Sequence, residues 1–461
     1  MKNKIFTTIL IVCLVAPSFF VITNIAGSKP NLLNTNDLYD ISVEPKLESE
    51  LIGHVDTEDY GDLTSYSPWW YDLVDKEDVT NDGEGVYVAV LDTGLLDMWP
   101  FFFPEGNIAW DLGKGFSHDI YWDDEYGLMM SELRDDRGFI TDLASGHGTH
   151  VTSTIIGYNY NNDYYVEGIA PKATIIPVLV LDAWLVDTPG GPIALKGGTD
   201  EMVSAGIYYI ADLADELDGP VIINMSLGGP EPTQMIEDAI DYAIDQGVIV
   251  IVSAGNEGTV GMDYPGAYKQ VISTAACGWT EMFYHVLWLD EGFLCDVPEE
   301  LNVPDVFGNE YQVYLEDFSG RPNKTLGQKY NDLDVMLPGA WIVGPYQPEF
   351  SSVLGYYYLS GTSMSAPHAS AIAALVLQTF PMFEQKDIEK IFKLAANGKK
   401  LNELRGFPSE GEDVLVAYFW TNYVYTANWD KHDFGKGFLK ANNAMITAVL
   451  YYIFKSIFGC W

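Results

Sequence analysis

Basic residues are scarce in this sequence: 24 Lys and Arg stand against 66 Asp and Glu among 461 residues, a formal net charge of −42. That balance excludes nucleic acid as a partner, because binding a polyphosphate requires a positive footprint. Cysteine is scarce too, limited to Cys13, Cys277, Cys295 and Cys460. With no CxxC pair and no Cys/His cluster at zinc spacing, a zinc site is not expected. No unit recurs at a fixed period, which excludes solenoids and propellers. Hydrophobic residues reach 48% against 20% charged, a globular composition able to bury a large core. The acidity has three readings that composition leaves open: a carboxylate surface hydrated in high salt, a chain spared positive self-repulsion in acid, or plain solubility.

The N-terminus carries export chemistry. Lys2 and Lys4 precede an uncharged, mostly apolar run from Ile5 to Gly27 that ends in the small pair Ala26-Gly27. The run is long for a signal peptide and just long enough to span a bilayer, so residues 1–27 read as a signal peptide or an N-terminal membrane anchor. Either places the rest of the chain outside the cytoplasm, secreted or held at the membrane. Residues 28–64 follow as an acidic lead-in arm. Cys277 and Cys295 flank an irregular stretch and are candidates for a disulfide in that oxidising setting; two unpaired thiols are the alternative.

Five short runs rich in Val, Ile and Leu (86–91, 174–181, 221–225, 248–252 and 271–274) read as buried parallel strands. Helix-like segments at 149–156, 201–217, 233–246 and 365–378 alternate with them. The pattern predicts an α/β three-layer sandwich, a mainly parallel central sheet flanked by helices, with sites at the carboxyl ends of strands. Two aromatic and acidic stretches, 98–140 and 278–316, break the rhythm and read as loop-like insertions. Residues 446–461 form an apolar tail with Lys455 its lone charge, read as packed on the domain or lying at a membrane interface.

Three segments set a reactive side chain among glycines and small residues. Val88-Ala89-Val90-Leu91-Asp92-Thr93-Gly94 places Asp92 at a strand end, where it can orient an imidazole or simply cap a turn. Gly146-His147-Gly148-Thr149-His150-Val151 opens a helix and leaves room for close approach at His147. His147 and His150 lack the glutamate of a metalloprotease pattern. Gly361-Thr362-Ser363-Met364-Ser365-Ala366-Pro367-His368 sets Ser363 at the start of an Ala/Leu-rich helix, where the dipole favours negative charge and Pro367 falls in the first turn.

Together and in this order, the three segments resemble the subtilisin-like serine proteases, the subtilases. Gly168-Ile169-Ala170-Pro171, Asn224-Met225-Ser226-Leu227-Gly228 and Ala254-Gly255-Asn256-Glu257-Gly258 are similar to further family landmarks, and the resemblance spans roughly residues 65–445. It implies an endopeptidase acting on proteins or peptides through an acyl-enzyme, with Ser363 as nucleophile, His147 as general base and acid, Asp92 as its orienting partner and Asn256 as oxyanion donor. No cofactor is implied for the chemistry. Ser226, Leu227 and Gly228 would pair with an extended substrate, Ala254 and Gly255 would form the facing pocket wall, and Asp263 would lie on the floor. An acid there favours Lys or Arg before the scissile bond; capping the following turn is the alternative role. The loop 160–166 looks like the family's calcium loop, with Asn162 as ligand. His147 excludes the related class that replaces the imidazole with a carboxylate. A surface binding protein with a vestigial triad and a narrow processing protease are the competing readings. Oligomeric state is not legible.

Overall fold

Val and Ile suit a pleated, doubly covered sheet, and each run of them becomes a strand. In the computed structural model, described over residues 63–279, 293–294, 297, 313–396 and 433–458 and the backbone of strands Asn31–Leu32, Lys46–Leu47, Val414–Tyr418 and Tyr423–Ala427, nine strands form one central sheet. They are β1 Tyr87–Asp92, β2 Lys114–Ser117, β3 Arg134–Arg137, β4 Thr174–Leu179, β5 Val221–Met225, β6 Ile249–Ser253, β7 Ile272–Trp279, β8 Val313–Leu315 and β9 Val335–Pro338. The order is β8-β7-β6-β5-β1-β4-β2-β3, with β9 also on β7. From β7 to β2 the pairing is parallel, and β3 and β8 are antiparallel additions.

Alternation along the strands makes the three layers. Val88 and Val90 of β1 face a core shared with helices α1 His147–Ile156 and α4 Thr362–Thr379. Ala89 and Leu91 face the opposite core, shared with α2 Asp200–Ala214 and α3 Gln234–Asp245. This is the two-residue period of a strand buried on both faces. Thr199 and Thr233 cap α2 and α3 by accepting the N–H groups of Met202 and Ile236. The three-layer α/β architecture expected from the alternation is the one observed.

Two readings change. The 98–140 stretch is not loop-like: it contributes β2 and β3 to the main sheet and carries a hairpin at Ile120–Asp123 and Gly127–Met130. Short strands among acidic residues lack the apolar runs that mark central strands, which hid them. Cys277 lies inside β7 as a free, buried thiol, not at the rim of a surface loop, and so does not form the expected disulfide; Cys295 lies outside the described residues. Of the 278–316 stretch, Phe293 is fully buried and stacks on Trp70 at 6.0 Å.

The last described element is a helix, α6 Ala441–Phe458, that packs beside α5 Gln385–Ala395. Lys440 reaches Asp75 at 2.6 and 2.7 Å, while Tyr451 and Lys455 both hold Asp387 at 2.8 Å. Among the described residues, no helix is long and apolar enough to cross a membrane. The N-terminal run at 1–27 lies outside them.

Candidate active site

Asp92 closes β1 at its carboxyl end, beside the first turn of α1. The Gly94–Gly148 crossing permits this approach, since a Cβ on Gly148 would sit 2.3 Å from the Gly94 carbonyl oxygen. His147 Nδ1 consequently lies 2.8 and 2.9 Å from the two carboxylate oxygens of Asp92. Both side chains are buried. Asp92 Oδ1 also accepts the Thr93 N–H at 2.7 Å, and Thr93 Oγ1 accepts the Gly148 N–H at 2.9 Å, stitching strand end to helix start. A carboxylate on Nδ1 fixes the tautomer that leaves Nε2 free to accept a proton. His150 is separate from this pair: its Nε2 donates to the carbonyls of Ile342 and Tyr357, and burial with the neighbouring His147 charge pushes its pKa down to about 3.

Ser363 occupies the first turn of α4, and its hydroxyl donates to the Ser226 carbonyl at 3.1 Å. Asn256 is held from one side only. Its Oδ1 accepts from the Thr362 N–H at 2.9 Å and the Thr362 hydroxyl at 3.1 Å, which turns Nδ2 away from those donors. The sequence reading missed Thr362 as the orienting residue, although it stands directly before Ser363.

Asp263 lies between the chain segments that follow β5 and β6. Cβ atoms on Gly228 and Gly255 would lie 2.8 and 2.6 Å from Asp263 side-chain atoms, so the two glycines make room for the carboxyl group. Reciprocal backbone bonds between Gly229 and Tyr264, at 2.7 and 2.8 Å, close the far side. Asp263 is buried, and desolvation together with the Glu257 charge raises its pKa to about 7.

The subtilase family model matches residues 83–409. The chain belongs to the subtilase family of serine peptidases. It is 27% identical over 383 residues to fervidolysin of Fervidobacterium pennivorans, covering 80% of this chain and 45% of that protein. It is 28% identical over 316 residues to a subtilisin of Bacillus sp. (strain TA39), covering 67% and 60%, and 25% identical over 318 residues to thermitase of Thermoactinomyces vulgaris, covering 69% and 81%. The chain therefore spans about half the length of the first two relatives. Among solved structures, the S41 psychrophilic protease superposes with a TM-score of 0.51 at 24% identity, covering 82% of this chain and 99% of that one, a likeness of fold.

In this subtilase the loop expected to hold calcium is a tight hairpin between strands Gly157–Tyr160 and Tyr164–Glu167. Asn162 Oδ1 accepts the Asn159 amide at 2.6 Å, and the same amide donates to the Phe101 carbonyl at 2.9 Å. Two oxygens that could face a cation thus face an N–H donor. Asn161 Oδ1 is buried without a partner, one oxygen where calcium takes about six to eight. Asp97 and Asp163 are exposed, and among the described residues no group of three or more His, Cys, Asp or Glu is placed to hold a metal. The hairpin does not fit calcium at Asn162.

Proposed function

We propose that this subtilase is an exported serine endopeptidase that cleaves extended protein segments through an acyl-enzyme and prefers a basic residue before the scissile bond. The observation that carries the reading is the buried Asp92–His147 pair at 2.8 and 2.9 Å, with Ser363 at the start of α4. A substrate strand laid along Ser226, Leu227 and Gly228 brings its own N–H to the Ser226 carbonyl and displaces the Ser363 hydroxyl from it. The freed hydroxyl passes its proton to His147 Nε2 as Oγ attacks the scissile carbonyl, and Asp92 stabilises the imidazolium. Asn256 Nδ2 and the Ser363 N–H stabilise the oxyanion. His147 then protonates the leaving amine, and water releases the acyl group by the reverse sequence.

The side chain before the scissile bond enters between Ser226–Gly228 and Ala254–Gly255 and ends at Asp263. A buried carboxylate there is costly until a guanidinium or ammonium group pairs with it, which favours Arg or Lys. Residues 1–27 serve as signal peptide or anchor, 28–64 as lead-in arm, 65–445 as catalytic domain and 446–461 as an apolar tail. Calcium is left outside this reading because the Asn159 amide occupies the Asn162 oxygen.

Fluorophosphonate labelling of the exported protein, with the added mass located by peptide mapping, tests the reading. A mass on Ser363 that Ser363→Ala lacks is the expected result. Folded protein that takes up no label, and hydrolyses no peptide, points instead to a surface protein with a vestigial triad.

A further inference from the structure

Because α4 begins at Thr362, Pro367 lies inside the helix and not in its first turn as expected, four residues after Ser363. In a regular helix, the carbonyl of Ser363 would accept the N–H of residue 367, and proline has none. The oxygen left without that donor belongs to the residue read as the nucleophile. Ser226 supplies the missing donor: its hydroxyl lies 2.7 Å from the Ser363 carbonyl oxygen. Ser363 in turn donates its own hydroxyl to the Ser226 carbonyl at 3.1 Å, so the two serines are tied reciprocally.

The tie continues inward. Asn224 Nδ2 donates to Ser226 Oγ at 3.1 Å, and the Ser370 hydroxyl donates to Asn224 Oδ1 at 2.9 Å. Asn224 and Ser370 are fully buried, and Ser226 is nearly so. Ser370 lies seven residues after Ser363, two turns along the same face of α4. Asn224 is the lone polar residue of the otherwise apolar strand β5. Burying its carboxamide is costly unless both ends are bonded, and here both are.

We infer that Ser370, Asn224 and Ser226 form a relay of positioning residues that fixes the nucleophile at Ser363 to the strand that aligns substrate. Every donor in the relay points the same way, from Ser370 toward the Ser363 carbonyl, so each bond polarises the next. The relay moves no proton; it sets the register between α4 and β5. Ser370 never touches substrate and acts through Asn224 and Ser226. This inference rests on the reading of Ser363 as nucleophile.

The test is the second-order rate of fluorophosphonate labelling of the purified full-length chain. Ser370→Ala and Ser226→Ala should each slow labelling about five-fold, the factor carried by one net hydrogen bond. The double variant should be no slower than Ser226→Ala alone, because Ser370 works through Ser226. The pH at which the rate is half-developed should not move, since nothing in the relay titrates. Ser365→Ala is the control. It removes a buried bond of the same kind on the same helix, from the Ser365 hydroxyl to the Ala275 carbonyl at 2.6 Å, and should lower Tm yet keep the wild-type labelling rate.

Additive losses in the double variant, or slowing by Ser365→Ala in proportion to its Tm, would overturn the relay. Should Ser370→Ala fail to fold, a wild-type rate in Ser226→Ala overturns it equally. Failure of the wild-type chain to label Ser363 removes the underlying reading and the relay with it, which separates the two failures.

Discussion

The side-chain nitrogen of Asn159 lies 2.6 Å from Oδ1 of Asn162. Around this pair the hairpin is held by aromatic contacts: Tyr160 stacks on Tyr356 at 4.3 Å and on Tyr164 at 4.9 Å. An amide and a tyrosine stack thus hold the turn that a cation was expected to brace. Chelation with EGTA should therefore leave the stability of this hairpin unchanged, whereas Asn159→Ala should cost about 1–3 kcal/mol by leaving the Phe101 carbonyl and the Asn162 oxygen without their donor. Calorimetry with and without calcium checks both. A calcium-dependent rise in Tm that Asn162→Ala abolishes would count against this account.

Thr362 orients Asn256, the residue proposed as oxyanion donor. Its hydroxyl and N–H both bond Asn256 Oδ1, and its hydroxyl also bridges to the backbone of Gly255 at 3.1 Å. Asn256→Ala should lower kcat by about 10²–10³ with little change in KM, because the lost bond forms fully only in the transition state. Thr362→Val keeps the shape and one donor, so its kcat should fall only about five- to ten-fold. Steady-state kinetics on one peptide substrate separates them; an unchanged kcat in Thr362→Val would show that the backbone N–H alone orients the amide.

The candidate site was legible where the chemistry it is proposed to perform asks for rare neighbours. Asp92, His147 and Ser363 each sit among glycines or small residues, and few other arrangements use that pattern. Central strands were legible because burial on both faces demands unbroken Val and Ile. Peripheral strands were not: Arg134–Arg137 is Arg-Asp-Asp-Arg, and it joins the sheet through backbone bonds to β2 that leave no hydrophobic signature. Asn224 was visible as a family landmark, but its bond to Ser370 depends on a helix and a strand meeting 146 residues apart, which sequence spacing does not encode.

Lys440 anchors the terminal helix to the start of the domain. It and Asp75 are both buried, with Lys440 Nζ at 2.6 and 2.7 Å from the carboxylate. Lys440→Met removes the ammonium group that bonds the buried Asp75 carboxylate and should cost about 3–5 kcal/mol. Lys440→Met combined with Asp75→Asn should recover part of that loss, since no charge is then stranded. Denaturant unfolding of the three proteins decides it, and equal midpoints for wild type and Lys440→Met would show that the pair contributes nothing.

Asp263 ties the proposed preference for a basic side chain to pH. Its pKa, raised from 3.8 to about 7 by burial and by Glu257, means that the folded protein keeps this group neutral at acid pH. The sign follows by linkage: the contribution to stability is complete below about 3.8 and is lost as pH rises toward 7, above which the buried charge is a full penalty. Asp263→Asn should accordingly stabilise the protein at pH 8, by on the order of 2–4 kcal/mol, and hardly at all near pH 4. Under the proposed preference, the same ionisation would create the partner for a basic side chain. The ratio of kcat/KM for an Arg peptide over its Leu counterpart should climb as pH rises through about 7. Both peptides need the same base, so the ratio isolates the contribution of Asp263. In Asp263→Asn the ratio should be low and flat with pH. A pH-independent ratio in the wild-type enzyme would mean that the Asp263 carboxylate does not meet the substrate side chain.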